Sequence, residues 1–381
     1  MTVGFYSPLP PARSGVADYA AALLQELRRH GRVEVAPAAC DVALYQLGNN
    51  ALHAGVYRRA LETPGVAVLH DAVLHHFLLG QLSEAAYVEE LVYNYGEWHR
   101  TLAQELWRGR ASSASDPRYF EYPMLRRIAE RSLAVVVHNP AAAKLVAAHS
   151  ADARVVEIPH LFVPPGELPG PAEQIRWRQR AGLDLGSFVF AVFGYLRESK
   201  RLATVLDAFA EVHRAHPRTT LLVAGEFVST DLERAVQPML CGPGVVRLPY
   251  LEERQFWLVA SAVDACINLR YPAAGETSGV AIRLMGLGKP AMLTESLECS
   301  RYPKDACIRV APGAAERECL RDYMTLLAAM PQVAQAIGER AAAHIRERHG
   351  RADVAARYWE LLSDCGRGGA PPGVPSGPGA A

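Results

Sequence analysis

A carboxylate beside a run of small residues is the most chemically informative feature of the sequence. Glu276 is followed by Thr277, Ser278 and Gly279, between a short apolar segment and a largely apolar helical pattern. The free backbone N–H groups of a helix start form a ready anion-binding site. A carboxylate next to that site would accept hydrogen bonds from sugar hydroxyls or offset a developing positive charge. Alternatively, Glu276 only caps the helix and interacts with its dipole.

The residues around this junction read as strand, loop, helix and strand. Residues 264–269 form a short apolar run, which is typical of a buried parallel strand. A loop with a proline and a glycine follows, Thr277 or Ser278 can cap the next helix, and Gly288 ends it. Open α/β sheets bind ligands at the carboxyl ends of their strands, so a ligand is expected at this junction.

A second anion-binding pattern follows the first strand of the second half of the chain. There, Gly194 is followed by Arg197, Lys200 and Arg201, and then by a helical pattern. Glycine, then cations, then a helix start is a common way to hold a phosphate. Lys200 stands out because the chain otherwise prefers arginine as its cation. The alternative is a solvated basic turn.

Histidines follow apolar strands in the first half of the chain. His70 and Asp71 follow one predicted strand, and His138 follows another. A histidine at such an edge can act as acid, base or polar donor near neutral pH, or can simply bond to the backbone. His75 and His76 extend the first group into a segment that could be taken for a metal cluster. Helical spacing does not bring three of these imidazoles onto one face, so we expect no metal.

The composition favours two globular α/β domains. Half of the 381 residues are hydrophobic, and 40 basic residues balance 40 acidic ones, so no nucleic-acid-binding surface is indicated. Alternating strands and helices predict a doubly wound parallel sheet in residues 1–165 and another in residues 172–350. A proline-rich linker, residues 163–171, separates them. Residues 366–381 are mostly Gly, Pro and Ala, and we expect them to be disordered.

Apolar runs place the strands of both domains. In the first domain they predict strands at residues 3–6, 33–36, 42–47, 65–69, 133–137 and 154–158. In the second they predict strands at residues 188–193, 220–224, 245–248, 264–269, 291–294 and 307–310. Residues 72–131 are expected to be mainly helical, with a break near 112–118.

The cysteine spacing and the N-terminal sequence predict the cellular compartment. Seven scattered cysteines form no CxxC pair, so neither a zinc site nor a disulfide framework is indicated. There is no signal-peptide pattern and no apolar run long enough to span a bilayer. We therefore expect a cytoplasmic protein without a transmembrane segment. Peripheral contact with a membrane is compatible with this expectation.

Several segments resemble the retaining glycosyltransferases of the GT-B fold, the large group 1 (GT4-like) family. They are PLPPARSGVADYAAALL, VFGYLRESKRLATVLDAF, LLVAGE and INLRYPAAGETSGVAIRLMGLGKP, and the resemblance extends to residue 362. It implies two Rossmann-like domains that face each other across a cleft. The C-terminal domain would bind a nucleotide-sugar donor and the N-terminal domain the acceptor. The last helix, residues 352–365, would cross back to the first domain.

The resemblance also implies roles for individual residues on the donor side. Glu276 matches the family glutamate that contacts the donor sugar, and Lys200 matches the lysine that neutralises the diphosphate. Ser278 and Gly279 match the helix-start positions that hold the diphosphate, and we group Thr277 and Gly194 with them. Gly15 matches the N-terminal glycine loop near the phosphates.

The remaining matches depart from the family pattern or concern the acceptor side. The family arginine after the loop glycine is Tyr195 here, so either Arg197 or Arg201 is the substitute. The second family glutamate is absent, because its position is Leu284, or Arg283 if one residue is deleted. The group that holds the ribose is therefore left open. His70 matches a polar residue near the reacting centre, and we place Asp71 and His138 on the acceptor side.

The expected activity is transfer of a sugar from a nucleotide-diphosphate donor to an acceptor hydroxyl, with retention of configuration. The resemblance implies front-face attack without a covalent intermediate, cofactor or essential metal. The acceptor would be a glycan, a lipid-linked sugar or a small molecule. Two alternatives stay open: a sugar-phosphate epimerase or phosphorylase of the same fold, and a catalytically inactive sugar-nucleotide or glycan binder. The missing second glutamate favours the inactive binder.

Overall fold

The structure, a computed structural model, describes residues 1–368, which divide into two compact units. Among the described residues, the first unit comprises 1–161, the short segment 274–277 and 351–368. The second comprises residues 162–273 and 278–350. Each unit is built on a six-stranded sheet in which every pair of neighbouring strands is parallel.

The strands of the first unit are short and mostly buried. They are β1 (Thr2–Tyr6), β2 (Arg32–Val35), β3 (Val42–Leu47), β4 (Val66–Leu69), β5 (Ala134–Val137) and β6 (Val155–Glu157). Their order in the sheet is β2-β1-β3-β4-β5-β6. The predicted strands are confirmed, and β3 has the predicted bounds. Because the winding direction reverses between β1 and β3, the loops after these two strands lie at a topological switch point.

Helices cover the first sheet, and most of them lie in the long connection between β4 and β5, as predicted. They are α1 (Gly15–Leu27), α2 (Ala54–Glu62), α3 (His75–Gln81), α4 (Glu84–Tyr95), α5 (Arg100–Arg108), α6 (Arg118–Glu121), α7 (Arg126–Arg131) and α8 (Pro140–His149). Two of these helices, α1 and α8, have side-chain N-caps at the edge of the sheet. Ser14 caps α1 by accepting from the N–H of Ala17, and Asn139 caps α8 by accepting from the N–H of Ala142.

The second sheet repeats this winding. Its strands are β7 (Phe188–Phe193), β8 (Thr219–Ala224), β9 (Val245–Leu248), β10 (Ala265–Asn268), β11 (Ala291–Thr294) and β12 (Ile308–Val310). Their order is β12-β11-β10-β7-β8-β9, so the switch point lies between β7 and β10. The predicted strands are again confirmed. Their central members read as continuous apolar runs because helices pack on both faces.

The helices of the second unit include one that the sequence analysis did not predict. They are α9 (Pro171–Arg180), α10 (Leu202–Ala215), α11 (Thr230–Leu240), α12 (Glu253–Ala262), α13 (Gly279–Gly286), α14 (Glu316–Ala329) and α15 (Pro331–Arg348). The unpredicted helix, α9, directly follows the proline-rich linker. Within this helix only Trp177 packs on the apolar core. The helix therefore has no repeating apolar positions at intervals of three and four residues, which is the pattern that predicts a helix.

The last helix, α16 (Arg351–Gly368), belongs to the first unit. The hydroxyl groups of Tyr19 on α1 and Tyr358 on α16 are 3.0 Å apart, and both side chains are buried. Gly31 also lies against the ring of Trp359, at a distance that leaves no room for a Cβ. Because α16 extends to Gly368, disorder was wrongly predicted for residues 366–368, and residues 369–381 lie outside the described part of the chain.

No helix within residues 1–368 is long and apolar enough to cross a membrane.

Candidate functional site

The switch point of the second sheet brings together the two loops that the sequence analysis singled out. Strands β7 and β10 are direct neighbours, with Phe190 opposite Ala265. Their carboxyl ends therefore lie at the same edge of the sheet. The loops that follow them are joined by a hydrogen bond of 2.8 Å from the N–H of Tyr271 to the carbonyl of Ser199. The two anion-binding patterns of the sequence thus lie side by side.

Glycines allow the loops at this edge to approach one another closely. Gly194 has a φ of +91°, and a Cβ at this position would lie 3.4 Å from Lys200 Nζ and 3.8 Å from Val280 of α13. Gly225, which follows β8, has a φ of +146°, and its Cβ would lie 1.9 Å from the carbonyl oxygen of Gly194. Any larger residue at Gly225 would displace the loop that carries Lys200.

Lys200 is buried at the carboxyl end of β7. Only 6% of its surface is exposed, and its ammonium donates a hydrogen bond to the carbonyl oxygen of Phe193. This bond holds the ammonium group at the end of the strand. The structure therefore fixes a positive charge where the loops after β7 and β10 meet.

The two arginines considered as partners of Lys200 have different surroundings. Arg201 donates from Nε to both carboxylate oxygens of Glu316, at 3.2 and 2.9 Å, and Glu316 is buried at the start of α14. The charge of Arg201 is thus offset within the protein. Arg197 is exposed in the same loop. Of the two, Arg197 is the better candidate for a second cation that contacts a bound anion.

Ser278 starts the helix that follows β10. Its hydroxyl oxygen accepts a hydrogen bond of 3.3 Å from the N–H of Ala281, and Gly279 is the first residue of α13. The cap of α13 is therefore Ser278, one of the two residues predicted for this role, and not Glu276. The alternative interpretation, in which Glu276 serves only as the helix cap, does not match this geometry.

Glu276 lies in the segment 274–277, which belongs to the first unit. One of its carboxylate oxygens accepts from the N–H of Ala274 at 2.7 Å, which closes a tight turn. The carbonyl of Ala274 in turn accepts from the N–H of Ala72 at 2.8 Å. Because Ala72 directly follows His70 and Asp71, the structure places Glu276 near the carboxyl end of β4.

Asn139 holds the same segment from the end of β5. Its side-chain amide donates to the carbonyl of Gly275 at 2.9 Å and to the hydroxyl of Thr277 at 3.0 Å. Asn139 is 2% exposed and at the same time caps α8. The role of Asn139 as a positioning residue was not predicted from the sequence. The motif around it offered only an Asn-Pro helix start, which signals the cap and not the second contact.

His70 and His138 lie in one aromatic cluster of the first unit, packed around Tyr19. Ring-centroid distances from Tyr19 are 4.7 Å to His70, 5.4 Å to His138 and 4.8 Å to His160. The rings of His70 and His138 are 5.1 Å apart. The positions of His70 and His138 after strands are confirmed, but the cluster that they share with Tyr19 was not predicted.

Burial keeps the imidazoles of His70 and His138 neutral. It lowers the pKa of His70 well below the ordinary value, and the neighbouring His138, His160 and His53 lower it further. Burial likewise lowers the pKa of His138 to about 4. The Nε2 atom of His70 lies 2.8 Å from the side-chain oxygen of Gln46, so this histidine bonds to a side chain and not to the backbone. At neutral pH these groups can donate or accept hydrogen bonds but carry no charge.

Asp71 and Gly15 both lie at the carboxyl edge of the first sheet. A carboxylate oxygen of Asp71 accepts a hydrogen bond of 2.9 Å from the N–H of Asn49, in the loop after β3. Gly15 is exposed as the first residue of α1, and a Cβ on it would have no heavy atom within 4 Å. The fold itself therefore does not require a glycine at position 15.

Neither position that aligns with the second family glutamate carries a side-chain hydrogen-bond acceptor. Leu284 is fully buried in the core. Arg283 donates from Nη1 to Glu253 at 2.9 Å, and Glu253 also accepts from the indole N–H of Trp257 at 2.7 Å. A carboxylate thus lies beside position 283, but it is supplied by α12. Local sequence patterns carry no signal for this pair, because Glu253 is thirty positions away in the chain.

His75 is a core histidine in this structure. Its Nδ1 lies 2.9 Å from the carbonyl of Tyr122, and its Nε2 lies 2.6 Å from the hydroxyl of Tyr87. Both ring nitrogens are therefore engaged, and burial lowers the pKa of His75 to about 3. Within residues 1–368 no cluster of three or more His, Cys, Asp or Glu side chains could hold a metal ion.

Solved structures with this architecture extend over nearly the whole chain. HepE from Anabaena, in complex with UDP and glucose, matches with a TM-score of 0.63 and 15% identity, over 96% of this chain and 100% of HepE. Sucrose-phosphate synthase from Thermosynechococcus elongatus matches with a TM-score of 0.68 and 15% identity, over 96% and 98%. The chain has the GT-B fold. This result confirms the predicted fold class.

A third structure with the GT-B fold is WaaG, a glycosyltransferase involved in lipopolysaccharide biosynthesis, with a TM-score of 0.63 and 14% identity over 97% of this chain and 100% of WaaG. No family profile and no curated protein sequence matches this chain. At these identities the structural similarity establishes the fold, and the assignment of activity depends on the residues of the site.

Proposed function

We propose that this GT-B protein is a glycosyltransferase that moves a sugar from a nucleoside-diphosphate sugar to an acceptor hydroxyl, with retention of configuration. The observation that carries the proposal is the switch point between β7 and β10. Lys200 lies in the loop after β7, and a backbone hydrogen bond joins this loop to the loop between β10 and α13. A buried cation beside a helix start suits a diphosphate. HepE has been solved with UDP-glucose, so UDP-sugars are the first donors to test.

Charge on the departing diphosphate is the main electrostatic demand of such a transfer. In the proposed mechanism the bond between the sugar C1 and the diphosphate oxygen breaks, and a bond from C1 to the acceptor oxygen forms on the same face. The acceptor proton passes to the leaving phosphate. Lys200 and the backbone N–H groups at the start of α13 stabilise the negative charge as it develops, because they are held in place before the reaction.

The groups of the first unit would orient the sugars. Glu276 would accept hydrogen bonds from hydroxyl groups of the donor sugar. The hydrogen bond from the N–H of Ala274 to one carboxylate oxygen orients the group for this role. His70 would provide a neutral polar group near the reacting centre, since its lowered pKa keeps it uncharged at neutral pH. Asp71 and His138 are the acceptor-side candidates, and the acceptor is a glycan, a lipid-linked sugar or a small molecule.

Product analysis tests this proposal. The protein is incubated with UDP-glucose and other nucleotide sugars, with and without sugar acceptors, and UDP release and the anomeric configuration of the product are followed by NMR. We expect UDP release with retention. Turnover that requires inorganic phosphate without nucleotide release would indicate a phosphorylase. Tight nucleotide-sugar binding without any turnover or hydrolysis would indicate an inactive binder.

A further inference from the structure

A cavity of about 610 Å³ lies at the end of the second sheet opposite the proposed donor site. Its lining includes Phe188, the first residue of β7, Asp264, which precedes β10, and Pro290, which precedes β11. Strand β7 has six residues, so at about 3.3 Å per residue the cavity lies roughly 20 Å from Gly194. It is therefore a separate place on the second unit.

Positive charge dominates the lining of this cavity. Arg178, Arg218 and Lys289 line it together with a single acidic residue, Asp264. Asp264 is already engaged, since one of its oxygens accepts from Arg178 Nη2 at 2.7 Å and from the N–H of Val189 at 2.8 Å. This pairing offsets Arg178. Lys289 and Arg218 are the two remaining cations of the lining.

Arg178 is a structural part of the wall. Besides its ion pair it donates to the carbonyl of Ala262 at 2.7 Å and to that of Ser187 at 3.2 Å. Arg218 is different, because it is largely exposed and lies 3.6 Å from Asp184, which is also largely exposed. Exposed pairs of this kind contribute little and exchange easily, so Arg218 can turn toward a ligand.

Lys289 has the weakest pairing of the three cations in the lining. Within residues 1–368 its ammonium has no hydrogen bond or ion pair, although the residue is only partly exposed. Burial lowers the pKa of Lys289, and the nearby carboxylate of Asp264 opposes this effect. Removing an ammonium from water without a partner costs free energy. A bound anion would offset that cost.

The start of α15 forms the opposite wall. Pro331, Ala334 and Gln335 from its first turns line the cavity, and no acidic residue lies in the first turn of this 18-residue helix. A Cβ on Gly338 would lie 1.9 Å from the carbonyl oxygen of Gly288. This close backbone approach fixes α15 beside Lys289. The positive end of the helix dipole therefore faces the same space as the two cations.

We propose that this cavity binds a phosphate-bearing small molecule, a phosphate monoester up to the size of a monosaccharide phosphate. The cations and the helix start suit a phosphate, and the volume falls within the range of small-ligand pockets. Leu185 and Phe188 add an apolar surface to the wall, against which a carbon skeleton can pack. The site is independent of the proposed donor site, and it requires no particular activity of the protein.

Calorimetric titration of the full chain with inorganic phosphate and with glucose 6-phosphate tests the site, with glucose as the uncharged control. Lys289→Met removes the charge and keeps an unbranched apolar stem. Arg218→Gln removes the exposed cation without touching the core, so it decides the question if Lys289→Met does not fold. Arg234→Gln, an exposed arginine of the same unit, and Lys200→Ala, at the other edge of the sheet, are the controls.

We expect glucose 6-phosphate to bind the wild type, and we expect the affinity to fall about tenfold in Lys289→Met and about threefold in Arg218→Gln. Arg234→Gln and Lys200→Ala should retain the wild-type affinity. The proposal is overturned if the wild type binds neither phosphate nor glucose 6-phosphate up to roughly 10 mM, the range of weak small-ligand affinities. It is also overturned if both cavity variants bind normally, or if only Lys200→Ala loses binding.

Discussion

The side-chain amide of Asn139 donates a hydrogen bond of 2.9 Å to the carbonyl of Gly275, 136 residues further along the chain. The same amide reaches Thr277 at 3.0 Å, so one buried side chain holds both neighbours of Glu276. Asn139 thereby fixes the carboxylate relative to the ends of β4 and β5.

Replacing Asn139 by serine should slow sugar transfer with little loss of stability. Serine is also a good helix cap, so α8 is preserved while the amide donors to Gly275 and Thr277 are lost. We expect transfer to fall about tenfold or more, because small displacements of positioning groups have such effects. Asn50→Ser, a cap asparagine at a short helical turn, is the matched control. Unchanged transfer in Asn139→Ser would show that the segment needs no such support.

Lys200→Ala should weaken donor binding and slow transfer together. The lost transition-state stabilisation should amount to roughly 2–4 kcal/mol, as for other preorganised groups. Steady-state kinetics with a UDP-sugar measures it, and circular dichroism checks the fold. Lys304→Ala, at an exposed lysine of the same unit, serves as the control. Normal turnover in a folded Lys200→Ala variant would remove Lys200 from the site.

Glu276→Gln should separate sugar contact from nucleotide binding. The glutamine oxygen can still accept from the N–H of Ala274, so the turn is retained while the negative charge is lost. Free UDP lacks the sugar that Glu276 is proposed to contact, and its affinity should stay nearly unchanged while transfer collapses. Titration with UDP and an activity assay on the same sample test this. Equal losses of UDP affinity and of transfer would point to a structural role.

The missing second glutamate predicts weak recognition of the ribose. Arg283 only donates hydrogen bonds, and Leu284 is in the core. We expect UDP and its 2′-deoxy form to bind within about tenfold of each other, or roughly 1.4 kcal/mol. Competition binding measures the ratio.

A preference for the ribonucleotide beyond about a hundredfold, some 2.7 kcal/mol, would show that another acceptor holds the ribose. Glu253, bonded to Arg283, would then be the first residue to replace by alanine. Glu295 and Glu298, which follow β11, would be next.

Acid should destabilise the first unit through its buried histidines. Burial lowers the pKa of His138 to about 4, whereas an unfolded histidine titrates near 6.5. The unfolded state therefore binds more protons between these values, so stability is complete above about pH 6.5 and falls as the pH drops toward 4. For His138 alone the loss at pH 5 is on the order of 2 kcal/mol.

Denaturant unfolding at about pH 7.5 and about pH 5 measures this loss. In His138→Asn the difference in unfolding free energy between the two pH values should shrink by that amount, whereas His30→Asn, at an exposed histidine, should behave as the wild type. Equal pH dependence in the wild type and His138→Asn would contradict the assignment.

Local sequence patterns were sufficient to predict the strands and the loops of the candidate site. Strands such as β3 and β7 have the predicted bounds because a mainly apolar run that is buried on both faces begins and ends where its burial does. Helix α9 was missed because its face is polar and only Trp177 packs on the core. Periodicity carries no signal in such a segment.

The contacts that complete the candidate site could not be predicted in the same way. The pairs Arg201–Glu316, Arg283–Glu253 and Asn139–Gly275 join residues that are distant in the chain. Each depends on which loops the strand order brings together and on the side-chain conformers that fit there. A single sequence contains neither kind of information in its local patterns.

The most direct test of the proposed donor site is to titrate the wild type and Lys200→Ala with UDP and UDP-sugars. The melting temperature is measured at each ligand concentration. A ligand at one hundred times its Kd stabilises the folded state by about 2.7 kcal/mol. We predict a rise in the melting temperature of the wild type with UDP or a UDP-sugar and a much smaller rise for Lys200→Ala. No rise with any nucleoside diphosphate or its sugars, or an equal rise in both proteins, would contradict the proposal that the β7/β10 switch point binds a nucleotide-sugar donor.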